Sequence, residues 1–205
     1  MFNWRLISLL LAGIGISTLG DFIYLIAINL LIYEMTQSAA AVAGLWIVGP
    51  VTAILTNSWS GSIIDRANKK KMMIIADLAR AAGVGIIPFV SNIWSIYVLL
   101  FFISVARAFF VPSSTTYIAK LIPIDKRKKF NSINSLVTSG AFIVGPSIAG
   151  ALFLIGSVDI AILLNAVSFL ISAFIISFCL IQINRKSLLK RRKAVTKHFG
   201  TTGKK

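Results

Sequence analysis

Residues 6–33 read LISLLLAGIGISTLGDFIYLIAINLLIY, and these 28 residues contain one charged side chain, Asp21. About 20 predominantly apolar residues are enough to cross the ~30 Å hydrocarbon core of a bilayer. The stretch therefore predicts a transmembrane helix. Arg5 precedes it, as a basic residue precedes the core of a signal peptide, but such a core runs for only about 7–15 residues and ends at an A-x-A-like site. This run is longer and lacks that pattern. Outward from it, residues 39–60, 72–90, 94–118, 130–155 and 160–183 are comparably apolar, which predicts six spans. Composition agrees. Of 205 residues, 57% are hydrophobic and 13% charged, against about 25% charged in a soluble domain. Too little polar surface exists to cover a water-facing globule, and the fold class is an all-α membrane protein.

The cationic residues set the orientation. Arg66, Lys69, Lys70 and Lys71 lie between spans two and three, and Lys120, Lys126, Arg127, Lys128 and Lys129 between four and five. Nine more fall in residues 185–205, whereas the opposite three links hold no Lys or Arg, only Glu34 and Asp159. The positive-inside rule then places both termini and both basic links in the cytoplasm. The same distribution explains a formal charge of +15 without nucleic acid: the basic residues are topology signals and contacts for anionic lipid. The single Cys179 excludes a disulfide within the chain, and the single His198 lies in the basic tail. No metal-ligand or nucleophile–base constellation is visible, so neither an enzyme nor a cofactor is expected.

Four charged residues fall well inside spans: Asp21, Asp77, Arg80 and Arg107. Each such charge costs about 2.5–3.5 kcal/mol on insertion scales and needs a partner or a wet cavity. Asp21 and Arg107 lie roughly 22 Å and 17 Å of helix from the cytoplasmic side, both in the middle third of the bilayer. They are expected to face one interior together, as a structural ion pair or a functional one. Asp77 and Arg80, at i and i+3, are expected to pair along their own helix near its cytoplasmic end.

The link between spans two and three reads Gly61-Ser62-Ile63-Ile64-Asp65-Arg66-Ala67-Asn68-Lys69-Lys70-Lys71. A glycine there allows close helix approach, and an acid followed by basic residues suggests a charge-clasped loop. The segment resembles the loop signature G-x-L-x-D-R-x-G-R-K of the major facilitator superfamily. Gly61, Asp65, Arg66, Lys69 and Lys70 match in place or kind, and Asn68, which tolerates left-handed backbone, stands for the second glycine. Span five carries Gly140 and then Gly145-Pro146-Ser147-Ile148-Ala149-Gly150. Its proline is expected to bend the helix, and its small residues to pack closely. This resembles the fifth-span G-P-x-x-G-G signature of the drug:proton antiporter branch, with Ala149 replacing one glycine. Gly145 and Gly150 are both expected to lie against another helix with no room for a side chain. Arg107 resembles the branch's buried fourth-span arginine, although Pro112 occurs where a glycine is usual, and Asp21 matches a frequent first-span acid. The run from Pro112 to Pro123, followed by Asn131-Ser132-Ile133-Asn134-Ser135, looks like the bacterial macrolide-efflux and siderophore-exporter subgroup.

The resemblance covers residues 1–184 and implies six helices as 3+3 inverted repeats, one half of a major facilitator fold, in a bacterial plasma membrane. It implies the N-terminal half of an exporter of drugs or other lipophilic small molecules, driven by the proton gradient. Asp21 would be the protonatable group, Arg107 its tuner and Asp65 a cytoplasmic gate. The implied partners are a small-molecule substrate, protons, lipid, and a missing second half or a second copy; nucleic acid is not among them. Residues 185–205 form a basic cytoplasmic tail, the start of a truncated central loop or a natural polybasic end. The alternative is a non-transporting membrane subunit or an inactive truncated gene product.

Overall fold

The computed structural model describes residues 4–179, and the side chains of all of these except residues 5, 6, 57 and 155. The described residues form six long helices and short links, with no strand. They are α1 (Trp4–Thr36), α2 (Ala39–Arg66), α3 (Lys69–Ile86), α4 (Ile93–Leu121), α5 (Ile124–Ile155) and α6 (Val158–Cys179). A single 3₁₀ turn, Ile87–Phe89, follows α3 around Pro88. All six are long and apolar enough to cross a membrane, and the protein is a multi-pass membrane protein.

Local chemistry sets the helix boundaries. Gln37 takes φ 51° to end α1, and Ser38 then caps α2 by accepting from the Ala41 amide. Asn92 caps α4 by accepting from the Trp94 amide at 2.9 Å. Two boundaries differ most from the expected spans, by six residues each. Helix α2 runs past position 60 to Arg66, and α5 starts at Ile124 rather than at 130. Hydropathy ends where polar residues begin, whereas backbone hydrogen bonding continues into the polar zone until a cap stops it. The basic link between α4 and α5 is therefore largely the first turn and a half of α5, with Asp125 favourably placed at its positive end. Helices α2, α4 and α5 each continue through an internal proline, at Pro50, Pro112 and Pro146.

Glycines carry the closest helix contacts, as expected where no difference in apolarity drives one helix onto another and van der Waals packing must do so. A Cβ at Gly20 of α1 would collide with Ser168 and Asn165 of α6, and one at Gly83 of α3 would lie 2.7 Å from Ile103 of α4. Helices α1, α3 and α6 supply most of the buried core, including Ala27, Ile32, Val84, Ile162 and Phe169. Outward faces are apolar, with Phe102, Leu154 and Phe174 strongly exposed. That is the surface a lipid-facing bundle requires.

Candidate functional site

Arg80 is the centre of the intramembrane charge cluster. Its Nη2 donates to both carboxylate oxygens of Asp21 at 2.9 Å, and its Nη1 lies 3.5 Å from Asp77 Oδ1. The guanidinium also stacks on Phe169 of α6, 3.9 Å from the ring centroid, with Phe110 of α4 at 5.6 Å. Such stacking suits a planar, weakly hydrated cation. Arg107 Nη1 lies 3.8 Å from Asp21 Oδ2, and its side chain is 62% exposed against 4% for Arg80.

Asp21 and Arg107 thus line one cleft, Arg107 from its exposed side rather than from a buried interior, and Arg80 is the closer partner of Asp21. Arg80 does not belong to a separate pair at the cytoplasmic end of α3. Asp77 follows Arg80 into the cluster and is fully buried.

A cleft of about 660 Å³ opens beside the cluster between α1, α4 and α5. Asp21, Arg80 and Arg107 reach its wall, together with Phe22, Phe110 and a set of hydroxyl and amide side chains that includes Ser114 and Asn134. Apolar rings and scattered hydrogen-bonding groups on one wall suit an amphiphilic small molecule. Arg127, at the same cleft, donates to the carbonyls of Ala119 and Ile122 at 2.7 and 3.2 Å, satisfying the open end of α4.

The expected motif residues divide. Gly61, Asp65 and Arg66 lie in the last turns of α2 and Lys69 and Lys70 in the first turn of α3, so the link itself is only Ala67 and Asn68. Asn68 is not left-handed. At φ −74° and ψ 103° it caps α3, accepting from the Lys70 amide, which explains why asparagine serves there. The clasp runs from Lys69 Nζ to the backbone carbonyl of Asp65 at 2.6 Å, not to its carboxylate, which has no ion pair among the described residues. Lys70 sits 5.3 Å from the Tyr117 ring centroid. In α5, a Cβ on Gly145 would lie 2.6 Å from Phe22 Cβ, whereas one on Gly61, Gly140 or Gly150 would meet nothing within 4 Å. Close packing is therefore found at Gly145 and not, among the described residues, at Gly61 or Gly150. These open glycines face away from the bundle.

Sequence reasoning missed the buried face of α6. Asn165, Ser168 and Ser172 are all buried and, spaced i, i+3 and i+7, share one face toward α1 and α3. Three polar residues at that spacing in an otherwise apolar span were the available signal. Tyr24 Oη, Asp77 Oδ2, Arg80 Nε, Asn165 Nδ2 and Ser172 Oγ are buried with no hydrogen-bond partner among the described residues. The basic tail, residues 185–205, lies outside the described residues.

Comparison with known proteins follows the same lines. A family model described as Major Facilitator Superfamily matches residues 10–203. The chain is 28% identical to an uncharacterized MFS-type transporter, YfiS, of Bacillus subtilis over 86% of its length and 42% of that protein's. It is 32% identical to the multi-drug resistance efflux pump PmrA of Streptococcus pneumoniae, over 95% of this chain and 48% of the pump. Macrolide efflux protein A of Streptococcus pyogenes is 25% identical over 85% of this chain and 45% of its own length. The chain spans less than half the length of these curated relatives.

Proposed function

The chain belongs to the major facilitator superfamily, and we propose that its six helices are one half of a proton-coupled exporter of lipophilic small molecules in a bacterial plasma membrane. In this proposal both termini are cytoplasmic and the bundle works against a second one. Two relatives are named for efflux, of macrolides and of multiple drugs, which supports export over uptake. One observation carries the coupling: Asp21 is a mid-helix carboxylate, held by Arg80 on one side and open to a cleft on the other. A carboxylate so placed can take a proton from the cleft and release its hold on a cation, which a wholly sealed ion pair cannot. Asp65 and the outward glycines Gly61, Gly140 and Gly150 belong, in this proposal, to surfaces that meet the second bundle.

Asp21→Asn tests it, with the chain joined to the second bundle of the pneumococcal relative and efflux of a lipophilic dye followed at several external pH values. The expected result is normal expression with proton-dependent efflux abolished. Unchanged pH dependence would refute the coupling. The other reading, a structural ion pair, would then stand, and the contact of Arg80 Nη2 with both oxygens of Asp21 favours it. The chain alone is expected not to transport, because alternating access rocks one bundle against another around a midplane site. Dye movement by the unpartnered chain in proteoliposomes, lost in Asp21→Asn, would overturn that.

A further inference from the structure

We propose that Asp77 is a second proton-binding site, coupled to Asp21 through the one guanidinium they share. Asp77 is fully buried, its one charged partner among the described residues is Arg80, 3.5 Å from Oδ1, and the only other polar group set against it there is the neutral hydroxyl of Ser172. An ionised carboxylate has about four acceptor positions to fill, and leaving it uncompensated in a buried site is costly. Arg80 meanwhile commits a nitrogen to both oxygens of Asp21 at 2.9 Å. Its Nε remains buried and unpartnered, so a donor is available for a second arrangement.

The groups facing this triad can be named from every side. Helix α1 supplies Asp21 and Tyr24, whose hydroxyl is also buried without a partner. Helix α4 supplies Arg107, on the cleft side and 3.8 Å from Asp21. Helix α6 supplies only neutral groups, with Ser172 beside Asp77 and Phe169 under the guanidinium. No second cation reaches Asp77 among the described residues. Arg107 is 62% exposed and stands at the cleft, so the balance is that of the three groups around Arg80, and it assigns the states. With Arg80 on an ionised Asp21, Asp77 carries a proton and the triad is neutral. With a proton on Asp21, Arg80 turns to an ionised Asp77 and the triad is again neutral. Between the two, the O–H bond of Asp77 breaks and one forms on Asp21, the carboxylate that opens on the cleft. Phe169 gives the guanidinium a flat surface on which to turn.

Infrared spectroscopy of the full chain in lipid at neutral pH tests this without any transport assay, so it can fail while the exporter proposal survives. The wild type is expected to show the C=O stretch of a buried protonated carboxyl, and Asp77→Asn to lose it. Asp21→Asn is the sharper variant. With its competitor removed, Arg80 turns to Asp77, and the band is lost although Asp77 is still present. Absence of the band in the wild type, its persistence in Asp77→Asn, or its persistence in Asp21→Asn would each overturn the proposal. If Asp77→Asn does not fold, the wild type and Asp21→Asn still decide.

Discussion

Gly145 and Gly150 lie five residues apart in one helix and one motif, yet the same substitution should act on them in opposite directions. A Cβ on Gly145 would stand 2.6 Å from Phe22 Cβ and 3.4 Å from the Phe22 carbonyl carbon. Neither atom is the free end of a flexible side chain. Both move only if α1 and α5 separate, so Gly145→Ala carries an overpacking cost of about 1–3 kcal/mol. Against that stands the gain of about 0.5–1 kcal/mol from replacing glycine by alanine inside a helix. The net is a loss of up to about 2.5 kcal/mol. At Gly150 the Cβ meets nothing within 4 Å, so only the gain remains. The two variants should therefore differ by about 1–3 kcal/mol, the clash term alone. Unfolding of the purified chain in mixed micelles of rising SDS fraction, followed by far-ultraviolet circular dichroism, measures the difference. Equal midpoints would show that α1 and α5 are not in contact at Gly145, and the placement of α5 would be wrong.

Arg80→Ala should destabilise the bundle by about 3–5 kcal/mol, because it leaves buried acid without its cation. Arg107→Ala, which removes a 62% exposed side chain at 3.8 Å, should cost no more than about 1 kcal/mol; the same SDS titration compares them, and a reversed order would contradict the assignment of Arg80 as the main partner. For orientation, Lys71→Cys and Ser91→Cys in a Cys179→Ala background should label from the cytoplasmic and outer sides respectively with an impermeant maleimide on intact cells and inverted vesicles. Labelling of position 71 from outside would invert the topology.

Span number and helical character were legible because they depend on composition averaged over about 20 residues, a scale on which single contacts do not matter. Helix ends were less legible. The caps at Ser38, Asn68 and Asn92 use ordinary capping residues, but they lie beyond the apolar runs from which the spans were counted. Least legible was the choice of partner for Asp21. Depth along a helix narrows the candidates to Arg80 and Arg107, but the decision rests on the rotation of α3 and on stem reach, and sequence spacing within one helix carries neither. Pairing Asp77 with Arg80 was correct at i, i+3, the one relation in the cluster that is local in sequence. The contact of Arg80 with Asp21 spans 59 positions.

The same distinction explains why a motif can match in sequence while its residues do different work. Gly145 and Gly150 both satisfy the fifth-span pattern, but about 100° of helical rotation per residue separates them by about 140° around α5. One therefore meets Phe22 while the other faces outward. Phe22 in turn immediately follows Asp21, so the contact at Gly145 fixes the height and rotation of α1 at the charged residue. On the opposite side, Gly20 admits Asn165 and Ser168 of α6, with Phe169, the ring under Arg80, next to Ser168. The residues on either side of Asp21 thus touch two different helices, and each contact allows almost no slack. The bundle thereby sets the direction in which the carboxylate points, toward Arg80 and the edge of the cleft. The charges that look anomalous in apolar helices lie where the packing is tightest, because an ion pair in a low-dielectric interior repays its desolvation only when its geometry is held closely.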